Sequence, residues 1–296
     1  MTDSILVTGG GGQVARALCE NQSHFRFVSF TRSELDISND ALVVESLDRV
    51  EPKLVVNAAA YTAVDVAEDD RENAGMANCV GPTLLSKACA DRGIPLIHLS
   101  TDYVFDGLSK QAYSESAIPH PMSAYGRTKL EGEEFVRSNL SEHVILRLSG
   151  IFSAHGNCFP RAIIKAALCH PELKVIDDQV TGPTSAKSVA TVIGEIVSKV
   201  ISGRLHWGTY HFAQQPFVSW YQFAKVILER AQEFDARFRS VKVIPVSTAS
   251  YGARAARPKN SCLDSRKLLT TFDFAAGILD RDDDLDAAIL AIISDL

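Results

Sequence analysis

The sequence has no tract rich in lysine or arginine, and its acidic residues outnumber its basic ones to give a net charge of −6. Proteins that bind nucleic acid or a charged membrane surface electrostatically carry clustered positive charge, so neither partner is expected here. No apolar run approaches the roughly 18 residues that a membrane span needs. The first three residues show neither the basic nor the apolar region of a secretory signal. These absences predict a cytoplasmic protein.

Metal ligands in a recognisable spacing are also missing. The six cysteines are dispersed without a C-x-x-C pair, so reduced thiols are expected and a zinc site is not. His206 and His211 lie five residues apart in a β-like stretch, which matches no common ligand pattern. The acidic stretch at residues 280–286 is more typical of a helix start, where carboxylates complement the helix dipole. No bound metal is therefore predicted.

The N-terminal residues carry a specific local signal. Residues 4–7 are typical of a short buried strand, and a glycine-rich turn leads from them into a helical run that begins near Arg16. Such a turn needs small residues for a tight bend, for close approach of the backbone to a pyrophosphate, and for helix packing. Gly9, Gly12 and Ala15 occupy those three places. We predict a dinucleotide-binding site here, with free N–H groups of the helix facing the phosphates.

The end of the second predicted strand, residues 25–30, bears on which dinucleotide binds. An acidic residue at this point would hold the ribose 2′-hydroxyl of NAD, whereas an arginine suits the 2′-phosphate of NADP. Thr31 and Arg32 follow the strand, so NADP is favoured. Glu34 and Asp36 lie close enough to leave NAD open.

Strands and helices alternate along the first half of the chain. Further strands are predicted at residues 54–60, 94–100 and 143–148, and helical periodicity covers about 70–92 and 125–139. This alternation predicts an α/β fold, with a Rossmann-type doubly wound parallel sheet whose ligands gather at the carboxyl ends of the strands.

The second half of the chain is expected to form a separate unit. Beyond Gly150 the alternation loosens, and no second phosphate loop follows. A chain of 296 residues also exceeds one average domain. We expect a dinucleotide-binding domain at 1–150 and a smaller C-terminal substrate domain at 151–296, with about 185–212 open to returning to the first sheet.

Tyr125 and Lys129 stand four residues apart in a stretch of helical character. Residues at i and i+4 of a helix lie about 6 Å apart on one face, so the ammonium can lie beside the phenol. A nearby cation lowers a phenol pKa from its usual value of about 10, which favours acid/base chemistry near neutral pH. Thr101, 24 residues earlier, would hold a substrate oxygen beside that phenol. The alternative is a solvated surface pair.

Together these motifs resemble those of the extended short-chain dehydrogenase/reductases and, among them, the dTDP-4-dehydrorhamnose reductase family over nearly the whole chain. The segments that carry the resemblance are residues 8–14, 35–38, 56–65, 100–107, 125–131, 178–179 with 182–184, 219–221 and 257–261.

The resemblance implies catalytic roles for Thr101, Tyr125 and Lys129, with Asn78 at the position of the superfamily's supporting asparagine. The expected cofactor contacts combine the residues that the resemblance implies with those of the glycine turn and the second strand. They are Gly9, Gly12, Gln13, Val14, Arg32, Asp36, Ile37, Ala60, Tyr61, Thr62, Tyr125 and Lys129. The expected substrate contacts are Thr101, Asp102, Gly150 and Arg257, with Arg254 an equal candidate for gripping a diphosphate.

The implied reaction is NAD(P)H-dependent reduction of a nucleotide-linked 4-keto-6-deoxy sugar, with dTDP-4-dehydrorhamnose as the first expectation and dTDP-rhamnose as its product. A reductase or epimerase of another nucleotide sugar stays open. So does a non-catalytic NADP-binding regulatory subunit of the methionine adenosyltransferase type, because fold does not fix function. An intact set of Thr101, Tyr125 and Lys129 favours the enzyme. A homodimer is compatible with each reading.

Three positions depart from the family's pattern. Gly150 stands where many members carry a tryptophan that lines the sugar site, and Thr181 stands where the D-Q-x-G-x-P-T pattern has glycine. These two departures leave the sugar open, and Phe152 is the side chain that would refill the missing aromatic wall. Ala17 replaces a glutamate that some members use for a metal-bridged dimer, which argues against a metal.

Overall fold

The computed structural model describes residues 3–21, 25–204 and 206–296. The strands are β1 (Ser4–Thr8), β2 (Arg26–Phe30), β3 (Leu54–Asn57), β4 (Leu96–Thr101), β5 (His143–Leu148), β6 (Ile151–Phe152), β7 (Glu172–Ile176), β8 (Val180–Thr181), β9 (Thr184–Ser185), β10 (Gly208–Phe212), β11 (Val218–Ser219) and β12 (Lys242–Val246). The α-helices are α1 (Gln13–Glu20), α2 (Asp40–Val50), α3 (Arg71–Gly75), α4 (Gly81–Ala90), α5 (Ala124–Asn139), α6 (Phe159–Cys169), α7 (Ala186–Ile201), α8 (Trp220–Phe234), α9 (Thr248–Tyr251), α10 (Arg266–Phe272) and α11 (Asp282–Ser294).

A parallel sheet forms the centre of the fold. Within the described ranges it has six strands in the order β10-β5-β4-β3-β1-β2, and every neighbouring pair is parallel. Successive side chains of a strand point to opposite faces. Accordingly Ile5 and Val7 face a core shared with α1 and α7, whereas Leu6 faces a core shared with α2, α4 and α5. Helices on both faces explain why β1 is apolar at residues 5–7 and β3 at residues 54–56, and they confirm the predicted doubly wound Rossmann-type fold.

A second core lies in the C-terminal half. Helices α6, α8 and α11 pack around residues such as Ile164, Phe223 and Ile289, beside a parallel pair formed by β7 and β12. Helix α7 and strand β10 instead belong with the first sheet, because α7 packs against α1 and β10 pairs with β5. None of the helices in the described ranges is long and apolar enough to cross a membrane.

Two predicted elements differ clearly from the observed ones. The strand predicted at 54–60 ends at Asn57, because its side-chain oxygen accepts the Thr8 hydroxyl at 2.7 Å and the Ala59 N–H at 3.2 Å. Residues 58–60 therefore form a loop at the carboxyl edge of the sheet. The helix predicted at about 70–92 contains a π-helical turn at Met76–Val80, between α3 and α4. Such turns often occur at functional sites.

Candidate active site

A cleft of about 550 Å³ opens at the carboxyl ends of β1, β2 and β3. Predicted cofactor residues that line it are Gly9, Gly12, Gln13, Val14, Arg32, Asp36, Ile37, Ala60, Tyr61 and Thr62. Sequence reasoning missed Leu99 of β4, which also lines the cleft. It also missed three residues that follow β5 and close the cleft from the second half of the chain: Ile151, Gly156 and Asn157. No local pattern marks these residues, since only the tertiary fold brings them to the cleft.

The floor of this cleft is backbone rather than side chain. Gly9 has φ +71°, and a Cβ there would lie 2.7 Å from both the Ala58 oxygen and the Ala59 nitrogen. Gly12 is the N-cap residue of α1. Because it has no side chain that could accept a hydrogen bond from the first N–H groups of the helix, these groups stay open to the cleft. A pyrophosphate is the ligand that such a glycine turn and helix N-terminus accept. The residues present therefore fit a dinucleotide.

The far end of the cleft carries the residues that distinguish NADP from NAD. Two hydrogen bonds from the N–H and hydroxyl of Thr31 hold the Glu34 carboxylate and lower its pKa. Asp36 accepts the Ser38 hydroxyl at 2.6 Å and lies 3.4 Å from Nε of Arg32. Both acids are thus engaged within their own turn, and Arg32 lines the cleft with its side chain 70% exposed. This arrangement suits a 2′-phosphate better than a 2′-hydroxyl.

Neither Tyr125 nor Lys129, both predicted cofactor contacts, lines this cleft, but helix α5 places Lys129 directly behind its wall. The start of α5 is fixed by Ser123, whose hydroxyl accepts the Gly126 N–H, and by Glu68, whose carboxylate accepts the Ala124 N–H at 2.7 Å. The Lys129 ammonium donates to the backbone oxygen of Leu99, a cleft-lining residue, at 2.7 Å.

The Tyr125 phenol is buried and protonated. Burial raises its pKa above the ordinary value, while a hydrogen bond with Thr101 lowers it by a smaller amount. The predicted lowering of this pKa is not found in the protein alone, because desolvation by burial is the largest influence on the phenol. Burial also lowers the pKa of Lys129 to about 8. A protonated phenol is the form that a proton donor requires.

Asp102 lies beneath Thr101 and lines neither this cleft nor the second one described below. It is 3% exposed, and its carboxylate accepts the Thr101 hydroxyl at 2.9 Å and the Ser149 hydroxyl at 2.8 Å. The Ser149 hydroxyl lies 2.7 Å from that of Thr181, and burial raises the pKa of Asp102. The Asp102 side chain therefore orients Thr101, and the side chain of Thr181 extends a buried chain of hydroxyl groups behind it.

Gly150 lies beside this chain in a conformation that favours glycine. Its φ is +56°, and a Cβ there would lie 3.1 Å from the Pro183 Cα and 3.4 Å from the Thr181 hydroxyl. Phe152 does not rebuild the aromatic wall, because it is 1% exposed and its ring packs 5.9 Å from that of Phe223 in the second core. The backbone here is thus built around a small residue.

A second cleft of about 750 Å³ is lined by residues of the C-terminal half, to which the first half contributes Tyr103. Its walls carry aromatic rings from Phe159, Trp220 and Tyr251, together with the cationic side chains of Lys174 and Arg257. Tyr103 also lines it, and the Tyr103 ring meets the Tyr125 ring edge-on at 5.6 Å. Tyr125 therefore lies between the two clefts.

Two guanidinium groups of the C-terminal half pair with acids that follow β3. Arg257 binds Asp65 through two hydrogen bonds of 3.2 and 2.6 Å, which lower the pKa of Asp65. Arg254 lies 2.5 Å from Asp69 and does not line the second cleft. Arg257 is thus better placed than Arg254 to meet a bound diphosphate.

Asn78 braces the site from the π-helical turn. Its amide accepts the Tyr61 N–H at 2.8 Å and donates to the Tyr61 oxygen at 3.1 Å and to the Thr128 hydroxyl at 3.2 Å. Because it is fully buried, it connects the cofactor cleft to α5 without facing either cleft. We therefore assign it a positioning role.

Sequence reasoning missed two glycines that set the position of α5. A Cβ on Gly126 would overlap the backbone oxygen of Tyr103, and one on Gly132 would overlap that of Asn78. Glycine inside a helix is unfavourable by about 1 kcal/mol relative to alanine, so its presence is a signal of close packing. Among the described residues, no group of His, Cys, Asp and Glu side chains is arranged to hold a metal.

Comparisons with known proteins agree with this geometry. Residues 2–278 match the family model described as the RmlD substrate binding domain. The chain is 37% identical over 272 residues to a dTDP-4-dehydrorhamnose reductase of Aggregatibacter actinomycetemcomitans, covering 90% of this chain and 92% of the relative. A dTDP-4-dehydrorhamnose reductase of Bacillus anthracis, solved in complex with NADP, superimposes with a TM-score of 0.87 at 30% identity over 100% of both chains. A UDP-glucose 4-epimerase of Thermus thermophilus, at 16% identity and a TM-score of 0.81 over 99% and 100% of the chains, shares the fold alone. The chain therefore belongs to the dTDP-4-dehydrorhamnose reductase family of the short-chain dehydrogenase/reductases.

Proposed function

We propose that this protein catalyses the NADPH-dependent reduction of dTDP-4-dehydrorhamnose to dTDP-rhamnose. The observation that carries the proposal is the place of Tyr125 between two clefts. Lys129 binds Leu99 of the first cleft, and Tyr103 of the second cleft packs against the Tyr125 ring. A proton donor needs this placement when hydride arrives from one side and the sugar from the other. The 37% identical relative carries the same activity in its name.

The side chains of this protein perform the proton chemistry. NADPH, when bound, supplies the hydride that the carbonyl carbon receives. The Tyr125 hydroxyl donates its proton to the carbonyl oxygen, so the ketone becomes an alcohol and the phenol becomes a phenolate. The Lys129 ammonium stabilises that phenolate, and the Thr101 hydroxyl, oriented by Asp102, positions the oxygen. No covalent intermediate is needed.

The second cleft supports a nucleoside diphosphate sugar. Aromatic side chains offer stacking surfaces for a base, and Arg257 has the planar guanidinium that suits a diphosphate. We test the substrate by measuring NADPH oxidation with dTDP-, UDP- and GDP-linked 4-keto-6-deoxy sugars. The highest kcat/KM is expected for dTDP-4-dehydrorhamnose. A preference for another sugar would contradict this substrate, and binding without turnover of any sugar would favour the regulatory-subunit alternative.

A reductase of another nucleotide-linked keto sugar is the second candidate. The observation that favours it is Gly150, whose left-handed backbone conformation and close approach to Pro183 disfavour the tryptophan found in many family members. In the same panel, a sugar bulkier than the rhamnose precursor would then give the highest kcat/KM. A cytoplasmic location and a homodimer also belong to this proposal, and sedimentation of the purified protein measures the second.

Replacing Arg32 with alanine is expected to weaken NADPH binding by about tenfold and to leave NADH binding unchanged. A charge-assisted phosphate contact contributes about 1.5 to 3 kcal/mol, and the exposure of this side chain places the effect at the lower end. Fluorescence titration of both cofactors measures it. Arg16→Ala, which removes an exposed guanidinium from α1 outside the cleft lining, is the matched control. An equal loss for both cofactors would remove Arg32 from 2′-phosphate recognition.

A further inference from the structure

The buried face of α5 continues beyond the catalytic pair. Tyr125, Lys129, Glu133 and Arg137 follow one another at intervals of four residues, so they share one side of the helix. Glu133 is 0% exposed, although an acidic side chain is rarely buried without partners. The side chains that bind the Glu133 carboxylate therefore indicate its role.

Glu133 connects α5 to both of the strands beneath the active site. One carboxylate oxygen accepts the Ser100 hydroxyl and the Arg147 Nε at 2.8 Å. The other accepts Arg147 Nη2 at 2.6 Å and Arg137 Nη2. Ser100 directly precedes Thr101 at the end of β4, and Arg147 lies on β5. The carboxylate thus ties the helix of Tyr125 to the strand of Thr101.

Glu133 is also the acid that acts on Lys129. The ammonium donates to the Leu99 oxygen, and no ion pair with a carboxylate within 4 Å is found for it among residues 3–21, 25–204 and 206–296. Burial lowers the pKa of Lys129, and the negative charge of Glu133 opposes that shift. Removing the charge would leave the buried cations of Lys129 and Arg147 and the half-buried cation of Arg137 without the carboxylate that lies among them.

The other titratable groups around this cluster do not replace Glu133. Burial holds His98 on β4 and His211 on β10 neutral by lowering the pKa of each. Glu115 and Glu134 line an outer cavity next to Arg137, and Glu115 is engaged by the His211 N–H at 3.0 Å. On the active-site side, Asp102 is bound to Thr101 and Ser149, while Tyr125 stays protonated.

We propose that Glu133 is a positioning residue of the reaction, which keeps Lys129 charged and holds Thr101 and Tyr125 in register. The proposal rests on the proposed function, because Lys129 must be a cation to stabilise the phenolate. Activity then persists below the pKa of Lys129 and is lost as the pH rises through it. Loss of Glu133 lowers that pKa, so activity should fall at a lower pH.

The test is the pH profile of kcat for Glu133→Gln, which keeps the shape of the side chain and removes its charge. An opposite charge nearby shifts a pKa by about one to three units. The alkaline midpoint, which is the pH above the optimum at which kcat falls to half of its maximum, should therefore move down by at least about one pH unit. At pH 8, close to the pKa of Lys129 of about 8, kcat should then fall about fivefold or more, with a smaller loss at pH 6. Glu134→Gln, an exposed neighbour on the same helix, is the matched control and should keep the wild-type midpoint.

A charge-balanced variant separates positioning from stability. Glu133→Gln with Arg137→Gln removes one anion and one cation, so the net charge beside Lys129 equals that of the wild type. Its alkaline midpoint should return toward the wild-type value, even if the single variant folds poorly. A single variant whose kcat falls equally at all pH values, or a double variant whose midpoint stays low, would overturn the proposal. The pH dependence of the NADPH Kd, measured in the same variants, reports on Lys129 even if the substrate assignment fails.

Discussion

Tyr125→Phe is expected to lower kcat by about 10²- to 10⁴-fold, because the substitution removes the proton donor and keeps the ring. NADPH binding should stay close to the wild-type value, since Tyr125 does not line the first cleft. The edge-on contact with Tyr103 should also survive, so the thermal midpoint should change little. Stopped-flow or steady-state NADPH oxidation with dTDP-4-dehydrorhamnose measures the effect.

The control for this variant is Tyr221→Phe. Tyr221 lies on α8 in the second half of the chain and lines neither cleft, so removing its hydroxyl should leave kcat unchanged. A Tyr125→Phe protein that binds cofactor and retains a wild-type kcat would show that the proton comes from another group.

Gly126→Ala is expected to reduce kcat by about 10²-fold through displacement of the catalytic tyrosine. A Cβ at this position overlaps the Tyr103 backbone oxygen and lies 3.0 Å from the Pro121 Cβ, so either the start of α5 or the turn after Thr101 must move. A displacement of about 1 Å in a reacting group can lower a rate by about 10²-fold. The expected loss is in kcat, with a lower thermal midpoint.

Gly75→Ala is the matched control, because a Cβ on that helical glycine meets no atom within 4 Å. Alanine is favoured over glycine inside a helix by about 1 kcal/mol, so this variant should be as stable as wild type or more stable. A Gly126→Ala protein with wild-type kcat and thermal midpoint would show that α5 and the Tyr103 turn can separate without consequence.

The first half of the fold could be predicted because its signals are local. Alternating strand and helix patterns gave the doubly wound sheet, and the glycine turn at residues 9–12 gave the cleft where dinucleotides bind. The end of β3 was predicted three residues too late, because its pairing with β1 ends at Thr8 and Asn57, two residues 49 apart whose side chains also share a hydrogen bond.

The rest of the site depends on contacts between distant residues. Arg257 was expected at a diphosphate, yet its pairing with Asp65 spans 192 residues and has no local signal. Glu133 looks like an ordinary helical glutamate until the fold buries it against Arg147. The raised pKa of Tyr125 in the protein without cofactor was missed for the same reason, since burial depends on tertiary packing and not on the spacing to Lys129.

The fate of the transferred hydride shows whether this protein reduces the ketone of the sugar. NADPH deuterated at its transferable position is oxidised by the enzyme in the presence of dTDP-4-dehydrorhamnose, and the product is analysed by NMR and mass spectrometry. We expect one deuterium on the sugar carbon that carried the ketone, and the amount of deuterated product should equal the amount of NADPH consumed. Oxidation of NADPH without deuterium at that carbon, or no oxidation by a folded protein that binds both ligands, would contradict the proposed function.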